Sequence, residues 1–219
     1  MRLLRESEVK EKNYFMSSIS FLGAEVQIPK EFAYENIMVK GSKSTGKTSK
    51  VLIPLYKEFE YGKLYITLSN NYAERIVEED TVVVDMRKQD IPMTAMEVVT
   101  SLIKGEEVYF NVDVTCCKEQ STKMVNDIFR SLLDRKEELV APVLIAFDDI
   151  SYTVRVENLL EYLESSSEGR EKDKNKNFYL ASTLCYTRQL IGLYKEEEVE
   201  EIRKYVTMVD VEKQPLVYN

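Results

Sequence analysis

The chain has 219 residues, 44% of them hydrophobic and 31% charged, which is ample apolar content for one substantial core. Its formal charge of −8 argues against a simple module that coats nucleic acid, because neutralising phosphates calls for a basic face; a ring with a basic bore alone stays open. Histidine is absent and the cysteines are only Cys116, Cys117 and Cys185, so Ser-His and Cys-His catalysis and a disulfide framework are excluded, and there is little from which to build a zinc site. Acid–base work falls to carboxylates, lysines or water. The pair Cys116–Cys117 reads as a packed turn, since adjacent cysteines seldom reach disulfide geometry. No apolar run approaches the roughly 18 residues that span a membrane. The first residues, "MRLLRESEVKEKN", turn charged at once and lack the apolar core of a signal peptide. The expectation is a cytoplasmic protein, in the host cytoplasm if the source is viral.

In chain order, residues 14–28 hold two short apolar stretches around Gly23 and predict a hairpin, so that 1–30 form an N-terminal hairpin or appendage ahead of a main domain over 31–219. A strand is predicted at 36–40, running into a glycine-bearing loop. A helix follows, with apolar positions at 51, 52, 55 and 59, a kink or a lost hydrogen bond at Pro54, and a stop at Gly62. Strands are predicted at 63–68, 81–86 and 107–114, with a helix over 93–104 that stops at Gly105. The clearest helix is 120–136, where Met124, Ile128, Leu132 and Val125, Phe129, Leu133 make two adjacent i, i+4 rows. The run "APVLIAF" at 141–147 reads as a buried strand ending at Asp148-Asp149. "VENLLEYLES" is helical, "SSEGREKDKNKN" is a polar loop, and "FYLASTL" at 178–184 is another buried strand. A charged helix, "KEEEVEEIRKYV", carries i, i+4 pairs such as Glu200–Lys204 and leads to a last strand near "TMVDV". Strands alternating with helices, several of them unbroken apolar runs, predict an α/β fold with a mostly parallel sheet and helices on both faces.

The segment Gly41-Ser42-Lys43-Ser44-Thr45-Gly46-Lys47-Thr48 satisfies the phosphate-loop pattern, with a predicted strand before it and a helix after it. Its glycines permit backbone angles that aim amide N–H groups inward at the positive end of a helix. In that pattern Lys47 reaches the β and γ phosphates and the Thr48 hydroxyl joins the Mg²⁺ shell, so ATP and Mg²⁺ are the expected ligands. A parallel sheet brings the end of the 141–147 strand beside the loop. Asp148 is the expected metal ligand, and Asp149 the group that orients or activates the attacking water.

The loop, the "VLIAFDD" strand, the Arg-bearing segments and the "ASTL" strand together resemble the HerA/FtsK group of P-loop ATPases, over residues 36–210. That group includes DNA translocases, conjugation coupling proteins and viral genome-packaging ATPases. The resemblance implies a RecA-like (ASCE) ATPase working as a homo-oligomeric ring, with double-stranded DNA as a partner. It matches Lys47 and Thr48 to the phosphate and metal ligands and Asp148 to the metal-binding carboxylate. Asp149 stands where the group usually has glutamate, a shorter arm that implies slower hydrolysis. The resemblance places Thr183 in the sensor strand as a nucleotide-site residue that bonds a phosphate-bound water, but Leu184 follows where the group commonly has glutamine; either Gln189 substitutes or γ-phosphate sensing is weak. An arginine from a neighbouring subunit completes such sites, and Arg170 is the first candidate, with Arg155 and Arg188 in reserve. The loop around Arg170 reads as solvated or as a nucleic-acid contact.

A second resemblance, of "EYGKLYITLSNNYAERI" and "FDDIS" to KaiC/RecA-like ATPases, implies a regulatory ATPase acting through a protein partner. There Asn70 and Asn71 fill the region of the expected glutamate, and Glu74 comes later. A nucleotide-binding module with weak hydrolysis is the third reading. Among the 14 tyrosines, Tyr14, Tyr72, Tyr152 and Tyr186 have positions from which a ring stacks on a base, though half-buried strand or rim positions are the commoner use of such residues.

Overall fold

The computed structural model describes residues 2–3, 14–21, 24–29, 35–42, 44–67, 72–87, 93–112, 118–150, 154–167, 178–184, 190 and 192–211. Its strands are β1 (Arg2–Leu3), β2 (Tyr14–Phe21), β3 (Ala24–Pro29), β4 (Ile37–Lys40), β5 (Lys63–Thr67), β6 (Val82–Asp85), β7 (Glu107–Asn111), β8 (Val143–Phe147), β9 (Phe178–Leu184) and β10 (Thr207–Asp210). Eight of them form one sheet in the order β1-β10-β4-β9-β8-β5-β7-β6, and every neighbouring pair is parallel. The predicted hairpin forms separately: β2 and β3 make an antiparallel two-stranded sheet. β9 lies between β4, which feeds the glycine loop, and β8, which ends at the paired aspartates. One strand inserted between those two is the RecA-like arrangement.

Side chains alternate across the sheet and split the core in two. Leu64, Ile66, Val108, Phe110, Val143, Ile145 and Phe147 face one side. There they meet α3 (Ala95–Ile103), α4 (Lys118–Asp134), α5 (Leu159–Ser167) and α6 (Glu196–Tyr205). Tyr65, Tyr109, Leu144 and Ala146 face the other side, against Val51, Leu52, Leu55, Tyr56 and Ile76. Those come from a π-helical turn, Lys47–Leu52, from α1 (Ile53–Glu58) and from α2 (Ala73–Ile76). Each fully buried aliphatic or aromatic side chain contributes roughly 1.5–3 kcal/mol, so the four-helix face carries most of the stability.

The predicted helix at 120–136 is α4, and of its two apolar rows Met124, Val125, Ile128, Phe129 and Leu132 are buried while Leu133 packs at the margin. α3 stops at Gly105 as expected, with Gly105 N–H on the Leu102 carbonyl and Glu106 N–H on that of Ser101. Two expectations are corrected. Gly62 stops no helix, because α1 already ends at Glu58; a Cβ there would lie 2.0 Å from the Leu102 carbonyl oxygen, so the absence of a side chain lets the start of β5 pass the end of α3. On α6 the pairs run i, i+3 rather than Glu200–Lys204: Arg203 meets Glu200 and Lys204 meets Glu201. Cys116, Cys117, Cys185, Tyr152 and Tyr186 lie outside the described residues.

Candidate nucleotide site

The loop leaves β4 at Lys40 and is fastened at once, since the Gly41 N–H donates to the Leu184 carbonyl at 3.2 Å. Ser44 and Gly46 have φ of 70° and 90°, the left-handed region that lets successive amides converge on one point. The Thr45 hydroxyl donates to the Ser42 carbonyl at 2.9 Å and holds the turn closed. Lys47 is buried, its ammonium 2.6 Å from the Gly41 carbonyl and 2.8 Å from that of Ser42. Its charge is therefore held against the first two carbonyls of the loop.

Pro54 does not simply kink the helix that follows. The Ile53 N–H passes over Ser49 and donates to the Thr48 carbonyl, the wider register of a π turn. Pro54 has no N–H to offer Ser49 in its place. The Ser49 carbonyl is met instead by the Arg75 guanidinium of α2 at 3.4 Å.

β8 delivers the acids. The Asp148 N–H donates to the Ile66 carbonyl at 2.8 Å, continuing the ladder to the edge of the sheet. Both Thr48 Oγ1 and Thr183 Oγ1 donate to Asp148 Oδ1, each at 2.7 Å. Burial pushes the Asp148 carboxyl up from its ordinary value, opposed by the Thr183 and Thr48 hydroxyls and by the Lys47 charge. Asp149 takes φ of 63°, left-handed for a residue with a side chain, and its N–H donates to Thr183 Oγ1 at 2.8 Å. The Ile150 N–H reaches the Thr183 carbonyl at 3.2 Å.

Thus Gly41, Ser42, Ser44, Thr45, Gly46, Lys47, Thr48, Asp148, Asp149 and Thr183 come together around one point at the carboxyl end of the sheet. Lys43, Arg170, Arg188 and Gln189 lie outside the described residues. Arg155 is committed within its own chain, donating to the Leu193 carbonyl and to Glu198 and lying 5.2 Å from the Tyr194 ring centre.

The donor set suits Mg²⁺. Thr48 and Asp148 offer hard oxygens in contact with one another, and among the described residues no three His, Cys, Asp or Glu side chains are placed to hold a metal ion together. That is the pattern of an ion held by one carboxylate and one hydroxyl and completed by phosphate oxygens and water, rather than by a protein cage.

Sequence reasoning passed over a row of polar residues beside Asp148. Thr67, Asn111 and Asp85 end β5, β7 and β6 in register, buried on the same side of the sheet. Arg87 grips Asp85 with two bonds, of 2.9 and 2.6 Å. The signal was present, since each apolar run closes on a single polar residue.

No known protein family matches the chain through its sequence, and no curated protein does. Solved structures do match. The bacterial conjugative coupling protein TrwBΔN70 in its unbound form superposes with a TM-score of 0.63 at 10% identity, over 94% of this chain and 75% of that one. The plasmid coupling protein TrwB with ADP and Mg²⁺ gives a TM-score of 0.63 at 11% identity, over 93% and 76%. The genome packaging NTPase B204 from Sulfolobus turreted icosahedral virus 2, in complex with AMP, superposes loosely, with a TM-score of 0.42 at 11% identity over 78% and 81%. The chain therefore has the α/β fold of a RecA-like P-loop ATPase, and its likeness to HerA/FtsK-type ATPases holds at the level of that fold. Among the described residues no helix is long and apolar enough to cross a membrane.

Proposed function

We propose that the chain binds and hydrolyses ATP with Mg²⁺, and that it acts as a DNA translocase or packaging motor in a homo-oligomeric ring. The observation that carries this reading is the contact of Thr48 with Asp148 beside the buried Lys47, at the end of a sheet with RecA-like strand order. The loop amides and Lys47 bind the β and γ phosphates, and Thr48 and Asp148 hold the metal. Bound there, Mg²⁺ neutralises charge that develops on the phosphate oxygens. Asp149, which follows Asp148 with a left-handed backbone, orients the attacking water. Arg170 from a neighbouring subunit is assigned to the transition-state charge. The coupling protein TrwB has been solved with the non-hydrolysable ATP analogue ADPNP and with ADP and Mg²⁺, which favours these ligands for a chain of the same fold.

The test is ATP turnover of the wild type and of Lys47→Ala, with and without double-stranded DNA. Turnover that rises with DNA and falls by about 100-fold or more in the variant is expected, because the lysine acts directly on the transferred phosphate. Lysine-dependent turnover that ignores DNA moves the assignment to a KaiC/RecA-like regulatory ATPase with a protein partner. Tight ATP binding without turnover moves it to a nucleotide-binding module.

A further inference from the structure

The resemblance to HerA/FtsK ATPases assigns Thr183 to the nucleotide site, as a residue of the sensor strand. Its surroundings give it different work. The side chain is buried at 1% exposure, and its hydroxyl has one proton and two lone pairs. The proton goes to Asp148 Oδ1 at 2.7 Å, and a lone pair takes the Asp149 N–H at 2.8 Å. The hydroxyl thus has no second proton to give a phosphate oxygen. The Thr183 carbonyl accepts from Ile150 N–H at 3.2 Å, so one residue of β9 touches three consecutive residues of the acid turn.

We infer that Thr183 is a positioning residue that sets Asp148 and Asp149 relative to one another, rather than a group that contacts nucleotide. This rests on the ATPase reading above. Two acids with different tasks follow each other directly in a turn, and the second holds a non-glycine backbone at φ of 63°. Such a conformation persists only where its surroundings hold it. Thr183 supplies that hold through the Asp149 N–H, and with the same oxygen it fixes the Asp148 carboxylate toward Thr48. Losing the hydroxyl would release both acids together while leaving the phosphate loop intact.

The experiment compares wild type, Thr183→Val and Thr183→Ser in two assays. One is steady-state ATP hydrolysis; the other is affinity for ADP and for a non-hydrolysable ATP analogue as Mg²⁺ is titrated. For Thr183→Val, kcat is expected to fall about 10- to 100-fold with KM within about threefold. Nucleotide affinity without Mg²⁺ is unchanged, and the Mg²⁺ needed for half-maximal effect rises several-fold. Thr183→Ser, which keeps the hydroxyl, restores both. Should the valine variant melt below the assay temperature, Thr183→Ala takes its place with the same expectations. A rise in KM and a loss of Mg²⁺-free affinity would mean direct contact with nucleotide and overturn the inference, as would unchanged kcat or a serine variant no better than valine. If wild type shows neither turnover nor nucleotide binding sensitive to Lys47→Ala, the ATPase reading itself fails and the inference falls with it.

Discussion

Asp149 holds a left-handed backbone that glycine adopts without strain, and its carboxylate is the group assigned to the attacking water. Stability and turnover therefore part company at this residue. For Asp149→Gly, relief of backbone strain and the added freedom of the unfolded chain nearly cancel, so folding stability should stay within about 1 kcal/mol of wild type. Turnover should fall at least about tenfold, as expected when a water-positioning group is removed. Thermal melting and ATP hydrolysis on the same preparations check both. A variant that melts far earlier would mean the Asp149 side chain supports the fold. Among single residues, the loop and both aspartates were legible because their pattern is local. The task of Thr183 was not, because both bonds of its hydroxyl go to residues more than thirty positions away.

α3 owes its start to a reciprocal cap. The Thr94 hydroxyl accepts from the Glu97 N–H at 3.3 Å, and Glu97 Oε2 accepts from the Thr94 N–H at 2.7 Å. Replacing Thr94 with alanine should cost about 1 kcal/mol, read by denaturant unfolding near neutral pH. The hydrogen bonds from the Thr94 backbone and hydroxyl hold the Glu97 carboxyl below its ordinary value. A carboxylate depressed in the folded state stabilises above its unfolded pKa and stops doing so as pH falls through the folded one. The gap between wild type and Thr94→Ala should therefore narrow below the usual carboxylate range; a gap independent of pH would show that the bond from the Thr94 hydroxyl to Glu97 contributes nothing. Long elements such as α4 and the buried strands were legible from periodicity and apolar runs. α2, with four residues, and β1, with two, were not, because neither is long enough to show a period. The helix after the loop was legible, but its π turn was not, since that register depends on a donor missing at Pro54 and on Arg75 arriving from another element.

At the scale of the molecule, charge and sheet order set different limits. The chain carries a net −8, so any hold on DNA must come from a local basic surface working against a repulsive whole. Stimulation of turnover by double-stranded DNA should accordingly be steeply salt-dependent, shrinking at least about tenfold between roughly 50 and 200 mM salt. Basal turnover without DNA should change little across that range. Stimulation indifferent to salt would argue that DNA is not held through its phosphates. The alternation of strand and helix made the parallel sheet legible, whereas the unequal cover of its two faces is a tertiary outcome of where the helices return.

The position of β9 has a mechanical consequence. Its Leu184 carbonyl is tied to Gly41 at the mouth of the loop, and its Thr183 is tied to Asp148, Asp149 and Ile150. The strand is thus an axle common to the two halves of the site. Any shift of the strand would therefore be felt at the phosphate loop and at the acid turn together, so the two cannot be re-aimed independently while these bonds hold.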